Sequence, residues 1–135
     1  MDKKKIYLAG GVCNWRDKII PLLDNCILLD PRTAQDPSTG KNLLNWFELE
    51  INMINECDGL IAYVSKKNES GFGTTFEMGM VFALNKPYIL INEKEDEYQW
   101  SMQTKGATMV FKTISEALQW INMTKWMNLK ILNYE

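Results

Sequence analysis

An uninterrupted apolar run from Gly59 to Val64 limits most strongly what this chain can fold into. Such a run is typical of a strand that is buried on both faces of a parallel sheet. After it comes a glycine-containing segment, residues 69–79, and then Phe76, Met80 and Leu84, spaced four apart as on one helix face. The order strand, loop, helix predicts that this loop lies at the carboxyl end of the sheet, where open α/β folds bind ligands.

The same alternation of strands and helices runs through the rest of the chain. Strands are predicted at residues 5–9, 26–30, 59–64, 88–91 and 107–111, and helices at about 14–23, 41–57, 74–84 and 115–126. Pro21 predicts a kink or break in the first helix, and residues 31–40 and 92–103 are predicted to be loops. These elements predict an α/β fold of flavodoxin-like class, a three-layer sandwich whose five-stranded, mainly parallel sheet has helices on both faces. Residues 1–135 are predicted to form a single domain.

Charge and residue usage exclude several classes of function. The net charge of -2 gives no electrostatic argument for a nucleic-acid polymer or a membrane surface as partner, and no apolar run is long enough to span a bilayer. A cytoplasmic protein is therefore expected. The three cysteines, Cys13, Cys26 and Cys57, are widely spaced, which argues against a disulfide framework or a thiolate zinc site.

The chain contains no histidine. This excludes serine or cysteine hydrolysis with a histidine base and zinc bound by histidine. Any acid–base or nucleophilic chemistry therefore falls to carboxylates, tyrosine or lysine. No metal and no cofactor is expected.

Glu77 is the first candidate for such chemistry, because it follows the glycine-containing loop. Glycines allow the backbone to approach a ligand closely, and a carboxylate there can attack an electrophilic carbon. The alternative is a helix cap, since Thr74 and Glu77 fit the spacing of a capping box. Thr113 and Glu116 show the same spacing, and only a cap is expected there. The two glycines and the strand before Glu77 distinguish it from Glu116.

Glu50 is the second candidate, because it shares an apolar helix stripe with Trp46 and Met53. Burying a carboxylate on an apolar helix face costs free energy, so such a residue is usually paired with another group or has a function. The alternative is a residue at the edge of the helix. Arg32, at the end of the second strand, is a candidate for binding an anion or a carbonyl, and a local salt bridge is its alternative.

Several segments together resemble the nucleoside 2-deoxyribosyltransferase family, in particular its short phage and bacterial branch, which is related to the deoxynucleoside 5′-monophosphate N-hydrolases. The resemblance extends over about residues 5 to 92. The segments that carry it are residues 6–11, 14–16, 30–32, 46–50, 58–63 and the stretch Gly71-Phe72-Gly73-Thr74-Thr75-Phe76-Glu77-Met78-Gly79.

The resemblance implies a catalytic group of three residues. Glu77 would be the nucleophile that attacks the anomeric carbon of a 2′-deoxynucleoside, with a covalent deoxyribosyl-enzyme as intermediate. Glu50 would serve the leaving base, at a position where the better-known transferases have aspartate, and Tyr7 would orient Glu77. Another base or water would then take the sugar, as in a retaining glycosidase.

The resemblance further implies a small-molecule substrate, a deoxynucleoside or deoxynucleotide, and no cofactor. Trp15 and Trp46 are candidates for stacking on a base, with a place in the core as the alternative, and Ser70 is a candidate for binding a 5′-phosphate. The full set of expected substrate-binding residues is Gly10, Gly11, Trp15, Arg16, Arg32, Trp46, Ser70, Gly71, Gly73 and Thr74.

Relatives complete their sites with a neighbouring subunit, so a homodimer or a larger homo-oligomer is expected. The apolar residues Trp126, Met127, Leu129, Ile131 and Leu132 are candidates for the interface, and packing on their own domain is the alternative. Two other functions stay open: a non-catalytic nucleotide-binding or sensing domain, and a glutamate-dependent NAD glycohydrolase.

Overall fold

The computed structural model describes residues 3–11, 14–23, 25–67 and 71–126, and its centre is one five-stranded sheet. The strands are β1 (Lys4–Gly10), β2 (Cys26–Leu29), β3 (Gly59–Val64), β4 (Tyr88–Asn92) and β5 (Met109–Phe111). Their order across the sheet is β2-β1-β3-β4-β5, and every neighbouring pair is parallel. This confirms the flavodoxin-like α/β fold, since the order matches that doubly wound class.

Five α-helices accompany the strands in the described part of the chain. They are α1 (Trp15–Ile19), α2 (Trp46–Glu56), α3 (Phe72–Ala83), α4 (Ser101–Gly106) and α5 (Ile114–Thr124). Pro21 lies in a short 3-10 turn that follows α1, so the predicted break at this proline is confirmed. No helix among the described residues is long and apolar enough to cross a membrane.

Two predicted segments differ from the structure. Residues 92–103 were expected to be a loop, but α4 begins within them at Ser101. The helix expected from Lys41 begins instead at Trp46, because residues 35 and 42 pair as an isolated antiparallel bridge and hold this segment extended.

The start of α3 also corrects a prediction. Thr74 was a candidate helix cap, but the cap is Gly71, with a left-handed φ of 66°, and Thr74 is a buried residue within the helix. A Cβ at Gly71 would lie 2.6 Å from the Trp100 ring, so a glycine fits both the backbone angle and the space. The equivalent prediction for α5 is confirmed, because Thr113 accepts a hydrogen bond from the backbone N–H of Glu116.

Alternate residues of β1 enter two separate cores. Ile6 and Leu8 pack with α1 and α5, whereas Tyr7 and Ala9 pack with α2 and α3 on the other face of the sheet. This is the ordinary alternation of side chains along a strand. As a result the Tyr7 side chain extends between the two helices that carry Glu50 and Glu77.

Candidate active site

Tyr7 connects the two glutamates that the sequence singles out. The Tyr7 hydroxyl donates a short hydrogen bond to Oε2 of Glu77, and it lies 3.3 Å from Oε1 of Glu50. The three groups come from β1, α2 and α3, and they meet near the carboxyl ends of the central strands β1 and β3. That position is where ligands bind in open α/β sheets.

The two carboxyl groups hold protons more tightly than exposed glutamates do. Burial raises the pKa of Glu77 to about 7; the hydrogen bond from Tyr7 opposes this shift, and the negative charge of Glu50 adds to it. Burial also raises the pKa of Glu50, while hydrogen bonds with Tyr7 and Glu77 lower it. Two carboxyl groups that interact in this way titrate as a pair.

Tyr7 itself remains a hydrogen-bond donor over the whole physiological range. Burial and the two neighbouring carboxylates raise the pKa of its hydroxyl far above the ordinary value. A tyrosine that does not ionise in this range keeps its hydrogen bond to Glu77 and so holds that carboxyl group in one orientation.

Arg16 fixes the end of β1 beside this group. Its side chain is 3% exposed and donates hydrogen bonds to the backbone carbonyls of Leu8 (3.1 Å), Gly10 (3.0 Å) and Gly11 (3.1 Å). Its Nε lies 3.7 Å from Oδ1 of Asp30. Burial lowers the pKa of Arg16, and Asp30 opposes that shift. The guanidinium charge favours the ionised form of both catalytic candidates, since it lowers the pKa of each.

Glu50 and Glu77 separate two cavities of different character. The first, which we call the apolar chamber, has a volume of about 250 Å³. The second, the polar chamber, has a volume of about 160 Å³. Besides the two glutamates, the apolar chamber is lined by Trp46, Phe47, Ile51, Ile54, Gly73 and Phe76, and the polar chamber by Gly10, Gly11, Arg16, Pro31, Arg32 and Gln35.

Arg32 is engaged by two carboxylates. Its Nη2 lies 2.7 Å from Oδ2 of Asp30, and its Nη1 lies 3.0 Å from Oδ1 of Asp17. Burial raises the pKa of Asp30, but the bonds and charge of Arg32 hold it below its usual range. The structure thus shows the salt bridge that was the alternative for Arg32.

The remaining expected substrate-binding residues fall into different places. Gly10 and Gly11 line the polar chamber, and Trp46 and Gly73 line the apolar one. Trp15 is 1% exposed and packs against Tyr63 in the core, so neither ring face is open to a base. Gly71 lies under Trp100, and Thr74 is 5% exposed within α3. Ser70 lies outside the described residues.

Six lining residues were not singled out as site residues from the sequence. Phe47, Ile51, Ile54 and Phe76 belong to helical apolar patterns, which predict packing against a core and give no sign of a cavity. Pro31 and Gln35 lie in the segment 31–40 that was predicted to be a loop. The signal that would have found the first four is an apolar helix face that continues past a candidate carboxylate.

This arrangement places two carboxyl groups side by side, the kind of pair that can supply a nucleophile and an acid, with a cavity on each side of them. Apolar side chains of the apolar chamber border the carboxyl pair on one side. Within the described part of the chain, no group of three or more Cys, Asp or Glu side chains is placed to hold a metal ion.

Comparison with known proteins gives two findings. The family profile described as nucleoside 2-deoxyribosyltransferase matches residues 6–112. The solved structure of Clostridium botulinum CMP N-glycosidase, BcmB, is similar in fold, with a TM-score of 0.60 and 20% sequence identity, over 90% of this chain and 99% of that chain. A comparison with curated proteins finds no match.

Proposed function

This chain belongs to the nucleoside 2-deoxyribosyltransferase family, and from this membership we propose that it cleaves the N-glycosidic bond of 2′-deoxynucleosides or their 5′-monophosphates. The sugar passes through a covalent deoxyribosyl–Glu77 intermediate to another base or to water. The observation that carries the proposal is the hydrogen-bonded group of Tyr7, Glu50 and Glu77 between two chambers.

In the first step, a carboxylate oxygen of Glu77 attacks C1′ of the deoxyribose. The C1′–N bond breaks, its electron pair moves to the base, and Glu50 donates a proton to that base. In the second step, a water molecule or another base attacks C1′, Glu50 takes up its proton, and Glu77 leaves as a carboxylate. Burial raises the pKa of Glu50, which suits an acid that protonates the leaving base.

The apolar chamber is the proposed place of the base. Trp46 and Phe76 are 38% and 57% exposed, so their rings are open to a planar ligand. A base between such rings buries apolar surface and presents its glycosidic nitrogen to Glu50. The deoxyribose then lies at the carboxyl pair, with its 5′ end directed to the polar chamber.

We also propose that the protein is a homo-oligomer that uses the outer face of α3. Phe72 and Phe82 are 79% and 61% exposed on this helix, and neither lines the apolar chamber. Large exposed apolar side chains that face solvent together are typical of a surface that another protein covers. Of the C-terminal residues predicted for an interface, Trp126 packs against the core instead, and the others lie outside the described residues.

The experiment is a mass spectrum of the intact protein after brief mixing with 2′-deoxynucleosides and their 5′-monophosphates, together with an assay for free base. We expect a deoxyribosyl adduct or released base with the unsubstituted protein and neither with Glu77→Ala. Glu48→Ala, which removes an exposed carboxylate from α2, is the control and should behave as the unsubstituted protein. Absence of both products over the whole panel would contradict the proposal and favour a nucleotide-binding domain.

A further inference from the structure

Arg16 is a buried cation that lies beside the carboxyl pair of Glu50 and Glu77. Its side chain is 3% exposed, yet it lines the polar chamber together with both glutamates. Arg32, the other cation that lines this chamber among the described residues, has a side chain that is 36% exposed. Water screens a buried charge less than an exposed one, so the charge of Arg16 acts more strongly on the carboxyl pair.

The same guanidinium group holds the end of β1. Its Nε, Nη2 and Nη1 donate hydrogen bonds to the backbone carbonyls of Leu8, Gly10 and Gly11, at 3.1, 3.0 and 3.1 Å. Tyr7 lies on β1 directly before the first of these carbonyls, and its hydroxyl donates to the carboxyl pair. The hydrogen bonds from Arg16 therefore fix the segment from which the Tyr7 side chain extends.

Charged and titratable groups face Arg16 from several elements. They are Asp30 and Arg32 after β2, Tyr7 on β1, Glu50 on α2 and Glu77 on α3. Burial lowers the pKa of Arg16, and the negative charge of Asp30, whose Oδ1 lies 3.7 Å from Nε of Arg16, opposes that shift. An arginine remains protonated when buried, whereas a buried lysine gives up its proton more readily. The site therefore retains one buried positive charge, which Asp30 balances in part.

We propose that Arg16 is a positioning residue for the proposed reaction: its hydrogen bonds hold the end of β1 so that Tyr7 meets Glu77, and its charge keeps Glu77 in the carboxylate form that attacks C1′. The inference rests on the proposed function and assigns Arg16 a role that acts through two other side chains. Burial raises the pKa of Glu77, and Arg16 supplies a positive charge that opposes this shift. A buried carboxylate that must be ionised to attack requires such a charge nearby.

The experiment follows the titration of the Glu77 carboxyl carbon by NMR, together with the pH profile of kcat/KM. Arg16→Met removes both the charge and the hydrogen bonds, so the midpoint of the Glu77 titration and the acidic limb of the profile should move to higher pH by at least about half a unit. Arg16→Lys keeps the charge without the planar group and should restore about half or more of that shift. In both variants kcat at the pH optimum should fall about tenfold or more, because the end of β1 is no longer held.

The matched control is Lys18→Met, which removes an exposed positive charge from the same helix, α1, and should leave the midpoint, the acidic limb and kcat unchanged. An unchanged Glu77 midpoint in Arg16→Met would overturn the role of the charge, and an unchanged kcat in Arg16→Lys would overturn the role of the hydrogen bonds. A raised KM in Arg16→Met with the midpoint and kcat unchanged would mean that Arg16 contacts the substrate, which also overturns the inference.

A second variant decides the role of the charge if Arg16→Met does not fold. Asp30→Asn removes the negative charge that partly balances Arg16, so the Glu77 midpoint should move to lower pH, and a midpoint that stays or rises overturns the inference. The NMR titration requires no turnover. If the unsubstituted protein cleaves no substrate, the proposed function fails, whereas the Glu77 midpoints still decide whether Arg16 controls the ionisation of Glu77.

Discussion

Glu77 holds its carboxyl group where the protonated form is favoured, and this has a measurable effect on stability. Its ordinary pKa is 4.5 and its pKa in the folded protein is about 7. The folded state therefore binds this proton more tightly than the unfolded state does. The stability that results is complete below pH 4.5 and is lost as the pH rises to 7.

Glu77→Gln is accordingly expected to stabilise the protein at neutral and alkaline pH, because an amide has no proton to lose. The free energy of unfolding at pH 8 should exceed that of the unsubstituted protein by up to about 3 kcal/mol, with little difference at pH 4. Urea denaturation at both pH values measures this. Glu48→Gln, on an exposed part of α2, should show no such pH-dependent gain.

Tyr7→Phe tests the hydroxyl that connects the two carboxyl groups. The hydrogen bond from Tyr7 lowers the pKa of Glu77, so its loss should raise that pKa further. Since the attacking form of Glu77 is the carboxylate, the acidic limb of the pH–activity profile should move to higher pH. Profiles of kcat/KM for both proteins check this, and a limb that stays in place or moves to lower pH would contradict it.

At the scale of secondary-structure elements, the glycines differ in whether the surrounding packing has space for a larger side chain. A Cβ at Gly10 would lie 2.6 Å from Nε1 of the buried Trp15, whereas a Cβ at Gly79, inside α3, would meet nothing within 4 Å. Gly10→Ala should lower the free energy of unfolding by about 1–3 kcal/mol because the Trp15 ring has nowhere to move. Gly79→Ala should raise the free energy of unfolding by about 0.5–1 kcal/mol, since alanine favours a helix. Urea denaturation of both variants and of the unsubstituted protein, at equal protein concentration, measures these free energies.

The strands could be predicted well because their signal is local. Gly59–Val64 is apolar throughout, and the structure forms β3 from these same residues. α4 escaped prediction because its residues are few and mostly polar, so no apolar period marks them. The cap of α3 was predicted at Thr74, three residues after the observed cap, Gly71, because its position depends on the contact between Gly71 and the distant Trp100.

The site was predictable only in part for a related reason. Glu50 stands out by its position on an apolar helix stripe and Glu77 by the strand and glycine-containing loop before it, and the structure places both beside Tyr7. Arg16 donates hydrogen bonds to backbone carbonyls at the end of β1 and just after it. These contacts depend on how the chain folds back on itself, so the spacing of residues in the sequence does not predict them.

For the whole molecule, the exposed face of α3 leads to a prediction about assembly. Replacing Phe72 and Phe82 together by glutamate should lower the mass observed by sedimentation, because charges in a buried interface are costly. The matched control is Met123→Glu, which adds a charge at a 76% exposed position of α5 on the opposite face of the sheet.

The control should sediment as the unsubstituted protein does. If the unsubstituted protein is a monomer at micromolar concentrations, or if the double variant keeps the original mass, the proposed use of the α3 face is wrong.

The fluorescence of Trp46 can report whether a ligand occupies the apolar chamber. Of the five tryptophans, Trp46 alone is exposed, and it lines the apolar chamber beside Glu50; Trp15 and Trp100 are buried, and Trp120 and Trp126 are half-buried. A base that stacks on its indole would displace water from it and quench its fluorescence, while the emission of the other four stays as a constant background. Occupancy of the chamber can thus be followed by titration in unlabelled protein, and Trp46→Phe identifies the part of the signal that belongs to it.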